Sequence, residues 1–360
     1  MPLKAAAHIE AMSAFALANF GGYDRPTLAQ NESAVAPSPR AIAAGQHAIA
    51  RSHLYPDPDW TALRDAIGQT YGVEPNLILC GAGSMDLISC TIAAFAGSGD
   101  EVLGTSYAYN FAASAAARVD AIYLKAAERD FAVSVDGILA AVTPATRIVF
   151  VCNPGNPTGT CIRNAELLRL RAALPANVLL LIDQAYGEFD GQDPRPIFAL
   201  VGRGDTVVLR TLSKAYGLAG ARVGWGLFPP SVAAEVRKMQ NSNQVTKPSL
   251  AMAVAALEDQ AYMRETVAST AAIRDRFAHR LRAAGYHVPE SRTNFVLIRF
   301  SDAAAAEAAD RSLRGADIIV RSLGGYGLAD CLRATVGPED IMDRALSILI
   351  GNPQRIVSAT

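Results

Sequence analysis

Four clusters in this 360-residue chain have the side chains and spacing for covalent chemistry on a small molecule. The most reactive candidate is Lys214, which follows an apolar run and sits among small and apolar residues. Desolvation there lowers a lysine's pKa and frees its amine to attack a carbonyl. The ordinary alternative is a surface lysine with a buried stem. Thr211, Ser213 and Arg222 flank it with hydroxyls and a guanidinium suited to a phosphate. Asp183 ends the apolar run 178–182 and precedes Tyr186. A carboxylate so placed is partly buried and needs a cationic or hydrogen-bonding partner, or else caps a helix. The stretch 153–159 holds two Asn-Pro units, which force a rigid turn able to present the Asn156 amide to a ligand. Finally, Gly81-Ala-Gly83-Ser84-Met85-Asp86 joins an expected strand to an expected helix. Free N–H groups at such a helix start form an anion site, although a plain tight turn has the same glycines. Asp86 stands where a dinucleotide fingerprint needs its third glycine.

Together these supply an amine, a carboxylate, a phenol, an amide and a phosphate cradle. Pyridoxal 5'-phosphate (PLP) calls for that set. An amine condenses with its aldehyde, a carboxylate keeps its ring nitrogen protonated, and the ring then acts as an electron sink.

Such clusters need a frame that brings strand ends together. Apolar or β-branched runs at 77–80, 101–104, 121–124, 147–151, 178–182 and 206–210 alternate with helix formers at 84–95, 110–117 and 164–173. The alternation predicts an α/β fold with a mostly parallel sheet covered on both faces. Ligands bind beyond the carboxyl ends of such strands, where all four clusters fall. The run 248–283 reads as a long helix or a helix pair. Strands at 294–300 and 318–320, with a closing helix at 339–350, make a smaller α+β unit. Residues 26–39 contain three prolines and read as extended. The expected organisation is an N-terminal arm at 1–45, a large α/β domain at 46–250 and a small C-terminal domain at 251–360.

Composition narrows the function. Lysine and arginine number 33 against 34 aspartates and glutamates, a net charge of −1. That leaves no broad basic face for nucleic acid or an anionic membrane. With 51% hydrophobic and 19% charged residues, the chain can build a large core. Its five cysteines lack CxxC spacing and its histidines lack HExxH spacing, so no metal is expected. No apolar run reaches the roughly 18 residues of a membrane span. The expected location is the cytoplasm.

With NPGNPTG at 153–159, IDQAY at 182–186 and SKAYGLAGARVG at 213–224 in this order, the chain resembles the class I and II (fold type I) aminotransferases. The nearest branch is histidinol-phosphate aminotransferase. The resemblance implies the fold type I architecture, PLP, and ping-pong transfer between an amino donor and a 2-oxo acid such as 2-oxoglutarate. The implied donor is histidinol phosphate or an aromatic or related amino acid. Lys214 is then the Schiff-base lysine and proton shuttle. Asp183 pairs with the pyridinium, and Asn156 and Tyr186 contact the ring oxygen. The amides of Ser84 and Met85, with Thr211, Ser213 and Arg222, take the phosphate. Tyr107 stacks on the ring. Tyr55 reaches the phosphate of a partner subunit, which implies a homodimer with shared sites. Arg333 and Arg321 bind the substrate's anion, with Asn31 and Tyr23 nearby.

Three departures bear on the substrate. The arm continues Asn31-Glu-Ser33-Ala-Val-Ala where the branch has Asn-Glu-Asn-Pro, Ser84-Met85-Asp86 replaces a small residue followed by Asp-Glu, and Trp225 stands in place of a tyrosine or phenylalanine. A decarboxylase or lyase of the same fold, acting for instance on threonine phosphate, is the alternative. A nicotinamide dehydrogenase would use the sheet but leaves Lys214 and 153–159 without roles.

Overall fold

The computed structural model describes residues 3–12 and 27–351. Its larger sheet contains β1 (Ile78–Gly81), β2 (Glu101–Thr105), β3 (Ile122–Ala126), β4 (Thr146–Cys152), β5 (Leu179–Asp183), β6 (Thr206–Thr211) and β7 (Gly224–Leu227). The spatial order is β1-β7-β6-β5-β4-β2-β3. Strands β3, β2, β4, β5 and β6 pair in parallel, whereas β7 is antiparallel to β6 and β1. This is the expected α/β fold. Every residue of β5 and β6 is buried, because helices cover both faces of a parallel sheet. That is why these strands read as unbroken apolar runs.

Strand β7 departs from the expected pattern. Two glycines in Gly224-Trp-Gly-Leu227 give it little strand propensity. No crossover helix lies between β6 and β7, so the chain returns antiparallel. Trp225 anchors the strand, with its ring 5.0 Å from Tyr71 and 6.1 Å from Phe198.

A second, antiparallel sheet comprises β8 (Phe295–Arg299), β9 (Arg321–Leu323) and β10 (Leu328–Thr335), in the order β8-β10-β9. The strand expected at 318–320 begins three residues later, because Val320 pairs with Leu28 of the arm. The run expected at 248–283 is a helix pair, Lys247–Glu258 and Gln260–Ala283. Asp259 separates them and caps the second by accepting from Tyr262 N at 3.4 Å.

Two apolar clusters hold the molecule. One surrounds the large sheet and extends through Leu257 to Phe295. The other joins Leu28 of the arm to Phe277, Leu281, Val296, Ile298 and Leu346. The arm is fastened between them: Leu28 N donates to Ile319 O at 2.9 Å, and Thr335 N donates to Leu28 O at 2.8 Å.

Arg171 secures the start of β5 and hence Asp183 at its end. Its side chain is fully buried. Nη1 donates to Val178 O at 2.7 Å and Asp205 O at 3.2 Å, and Nη2 donates to Leu174 O at 2.9 Å and Pro175 O at 2.8 Å. Arg171→Met strands several buried carbonyls. It should lower unfolding free energy by about 3 kcal/mol or more in a urea titration. A change below about 1 kcal/mol would mean water replaces the guanidinium.

Candidate active site

A cavity of about 540 Å³ opens beyond Cys152, Asp183 and Thr211, the last residues of β4, β5 and β6. The small sheet contributes Arg321, Tyr326 and Arg333, and the arm contributes Gln30, Asn31 and Glu32. Of the residues the sequence singles out, the fold brings together Asn31, Ser84, Met85, Asn156, Asp183, Tyr186, Thr211, Ser213, Lys214, Arg222, Arg321 and Arg333.

Lys214 Nζ donates to Asn31 O at 2.8 Å and Gln30 O at 3.5 Å. Burial, then the nearby guanidinium of Arg333 and, more weakly, that of Arg222, depress its pKa to about 7, while Glu32 and Asp183 oppose the shift. An amine so placed is substantially neutral near pH 7. Asp183 is buried, with Oδ1 accepting from Ala185 N at 3.0 Å and Oδ2 from Cys152 Sγ at 3.7 Å. Burial raises its pKa to about 6, while the Ala185 amide, the Cys152 thiol and Lys214 limit the rise. The two shifts have one cause, removal from water, and act in opposite charge directions.

Tyr186 is also buried, and burial pushes its phenol far above the ordinary tyrosine value. Its oxygen accepts from Asn31 Nδ2 at 2.8 Å. Asn156 sits in the turn after β4, where both Asn-Pro bonds are cis. Its Oδ1 accepts from Arg333 Nη1 at 2.6 Å. Arg333 also donates through Nη2 to Ala29 O at 2.7 Å and lies 5.2 Å from the Phe295 ring centre. Its Nε, although buried, has no hydrogen-bond partner. The Arg333 guanidinium lines the cavity, and a planar cation there suits an anion.

The opposite corner collects further donors. The helix Ser84–Phe95 starts at Gly83 without a side-chain cap, so its first amides and positive dipole end are available to an anion. A Cβ on Gly83 would collide with Arg222 Nη2, and one on Gly224 with Ser84 N. These glycines let the guanidinium and the helix start close together. Arg222 Nη1 donates to Ala219 O at 2.9 Å and Ser213 Oγ at 3.4 Å. Thr211 Oγ1 donates to Ser213 Oγ at 2.9 Å. These residues fit PLP: N–H groups, hydroxyls and Arg222 for its phosphate, Asp183 for its ring nitrogen, Asn156 and Tyr186 for its ring oxygen, and Lys214 for its aldehyde.

Three expected residues lie apart from this group. Tyr107 does not line the cavity. Its ring packs 5.8 Å from Phe131, beside Leu297, Leu323, Leu328 and Cys331, and its N–H donates to Glu128 Oε1 at 3.0 Å. The chain turns directly after β2, which carries Tyr107 to the small-sheet side and turns Tyr109 inward. Tyr109 lines the cavity and donates to Met85 Sδ at 3.3 Å. Tyr55 lies outside this cavity and is 84% exposed, and Tyr23 lies outside the described residues. Sequence reasoning also missed Gln30 and Tyr326. Tyr326 sits in Gly324-Gly-Tyr-Gly327, whose turn composition was the available signal. Among the described residues no cluster of three His, Cys, Asp or Glu side chains could hold a metal ion, and no helix is long and apolar enough to cross a membrane.

Comparison with known proteins agrees with this fold. The chain is 43% identical over 314 residues to the histidinol-phosphate aminotransferase of Paramagnetospirillum magneticum, covering 86% of each protein. It is 42% identical over 322 residues to that of Jannaschia sp., covering 89% of each. The crystal structure of histidinol-phosphate aminotransferase from Sinorhizobium meliloti in complex with pyridoxal-5'-phosphate superposes with a TM-score of 0.89 at 28% identity, over 96% of each chain. The family model for aminotransferase class I and II matches residues 26–349, and the chain belongs to that family.

Proposed function

We propose that this protein is a PLP-dependent aminotransferase that moves an amino group from histidinol phosphate, or an aromatic or related amino acid, to a 2-oxo acid such as 2-oxoglutarate. The observation that carries the reading is Lys214, an amine with a pKa near 7 in one cavity with Asp183 and two anion-binding corners. When bound, PLP supplies an electrophilic carbon and an electron sink.

The chain's own residues do the rest. Lys214 Nζ, available as the free amine, would hold the cofactor through its aldehyde and would accept and return the proton at the donor's Cα. Asp183 lines the cavity and would hold its negative charge against a cationic ring nitrogen. The raised pKa of Tyr186 keeps its proton in place as a hydrogen-bond donor. Arg333 and Arg321 receive the donor's anionic end, and the buried Arg333 fork fixes its orientation. Walls from the arm and both sheets limit water around the reacting carbon.

A donor panel tests this reading. Histidinol phosphate, phenylalanine, tyrosine and aspartate would each be offered with 2-oxoglutarate. Histidinol phosphate should give the highest kcat/KM, and Arg333→Lys should lower it about 100-fold through loss of the bidentate fork. Inert histidinol phosphate with active aromatic donors would remove that donor and leave transamination standing. Release of carbon dioxide without need of a 2-oxo acid would instead favour the decarboxylase, which the relatives' names do not support.

The reading extends to assembly. Ile49, Leu54 and Tyr55 are 60%, 46% and 84% exposed, and a second copy covering them would form a homodimer with Tyr55 reaching the partner's phosphate corner. A monomer in sedimentation at assay concentration would refute that. We divide the chain into an arm (1–45), a large domain (46–250) and a small domain (251–360); apart from Leu28 of the arm, the second apolar cluster falls within the last of these. We assign the enzyme to the cytoplasm, which fractionation would test.

A further inference from the structure

We propose that Asn31 is a positioning residue that keeps the Tyr186 hydroxyl proton aimed into the cavity. The inference rests on the PLP reading above. Asn31 adopts a left-handed backbone with φ +54°, a region where asparagine is one of the few tolerated non-glycine residues. All four of its polar atoms meet protein partners. Its N–H donates to Thr335 Oγ1 at 3.0 Å. That hydroxyl keeps its own proton to give, and it donates to Asn31 Oδ1 at 3.2 Å. The amide's orientation is thereby set, with the oxygen toward Thr335 and the nitrogen toward Tyr186.

Asn31 Nδ2 lies 2.8 Å from the Tyr186 oxygen. An amide nitrogen only donates. Tyr186 is therefore the acceptor in this bond, and its own O–H is directed elsewhere. The Phe295 ring packs edge-on against the Tyr186 ring, with centroids 5.4 Å apart and planes at 84°, and holds the phenol in place. Tyr186 lines the cavity, and there the ring oxygen of PLP would be the acceptor. The backbone of the same residue acts on the amine. Asn31 O accepts from Lys214 Nζ at 2.8 Å and from Asn294 Nδ2 at 3.1 Å. One left-handed residue thus orients both the phenol and the lysine.

Aspartate at position 31 would reverse the polarity. A carboxylate accepts, so Tyr186 would donate to it and not to PLP. The test is a double-mutant cycle of Asn31→Asp and Tyr186→Phe in the holoenzyme. Alone, Asn31→Asp should lower kcat about 10- to 100-fold, the loss of one hydrogen bond to a charged oxygen. Donor KM should move less than about threefold, because the bond is not made to the donor. Retention of PLP during dialysis should weaken by about tenfold. In the Tyr186→Phe background, Asn31→Asp should change kcat and PLP retention less than about twofold further. Asn31→Gly covers the case in which the aspartate variant does not fold, and removes the effect of added charge on Lys214. Glycine keeps the left-handed backbone and the carbonyl to Lys214 and loses only the amide. Its smaller losses must likewise vanish without the Tyr186 hydroxyl. Losses that multiply across the two sites would overturn the proposal. A wild-type protein that takes up no PLP would overturn the functional reading as well. A wild-type that takes it up and transaminates while the losses multiply would overturn this inference alone.

Discussion

Replacing Lys214 with alanine should lower turnover by at least about 1,000-fold, the loss of a positioned proton carrier together with a covalent nucleophile. The fold should survive the change. Among the described residues the Lys214 hydrogen bonds run to the carbonyls of Gln30 and Asn31, and removing a desolvated amine relieves a cost. A melting temperature within a few degrees of wild type, with the activity gone, is the expected result. The depressed pKa has its own signature. An amine reacts only when unprotonated, so its reactivity rises with pH through its pKa. With a pKa of about 7 in place of 10.5, roughly half of Lys214 is free at pH 7, against about one in 3,000 for an ordinary lysine. Trapping the amine with a small aldehyde and borohydride, read by mass spectrometry, should show a midpoint near pH 7. A midpoint above about 9 would mean that Lys214 is solvated like any surface lysine.

Asp183→Asn should separate activity from stability. The variant loses the charge that a cationic ring nitrogen requires, and kcat should fall by about 100-fold or more. In the protein free of PLP, stability should move the other way. Burial raises the Asp183 pKa from 3.8 to about 6, so the native state holds a proton more tightly than the unfolded chain. The associated stability is fully present below pH 3.8 and is lost as pH rises through about 6. Above that window the native state carries a buried charge, and asparagine removes it. The variant should therefore melt a few degrees higher than wild type near pH 8, and the gap should close near pH 4. Calorimetry at the two values decides. An unchanged gap would mean that Asp183 is already fully compensated by its amide, thiol and lysine neighbours.

Much of this was legible in the sequence wherever a residue's surroundings are local. The doubly buried strands β5 and β6 announce themselves by unbroken apolar runs. The residues that close each strand, Asp183 and Thr211, inherit their place from those runs. The rigidity of 153–159 follows from proline alone. What stayed hidden depends on distant packing. Strand β7 is weak by composition and exists because Trp225 finds Tyr71 and Phe198. Tyr107 and Tyr109 are two residues apart, and the turn after β2 decides which one faces the cavity. The contacts of Asn31 with Tyr186, Lys214, Asn294 and Thr335 cross up to 304 positions. No local pattern encodes them.

The fastening of the arm has a consequence for biosynthesis. Leu28 and Ala29 are held by Thr335 N and Arg333 Nη2, so two segments separated by most of the chain must meet to wall in Lys214. A ribosome translates Lys214 more than a hundred codons before it reaches Arg333 and Thr335. Until then the growing polypeptide carries the lysine without the guanidinium that contributes to its acidity or the clasp that holds its carbonyl partners. The amine therefore acquires its complete setting only once residues 333–335 have been translated and have met the arm.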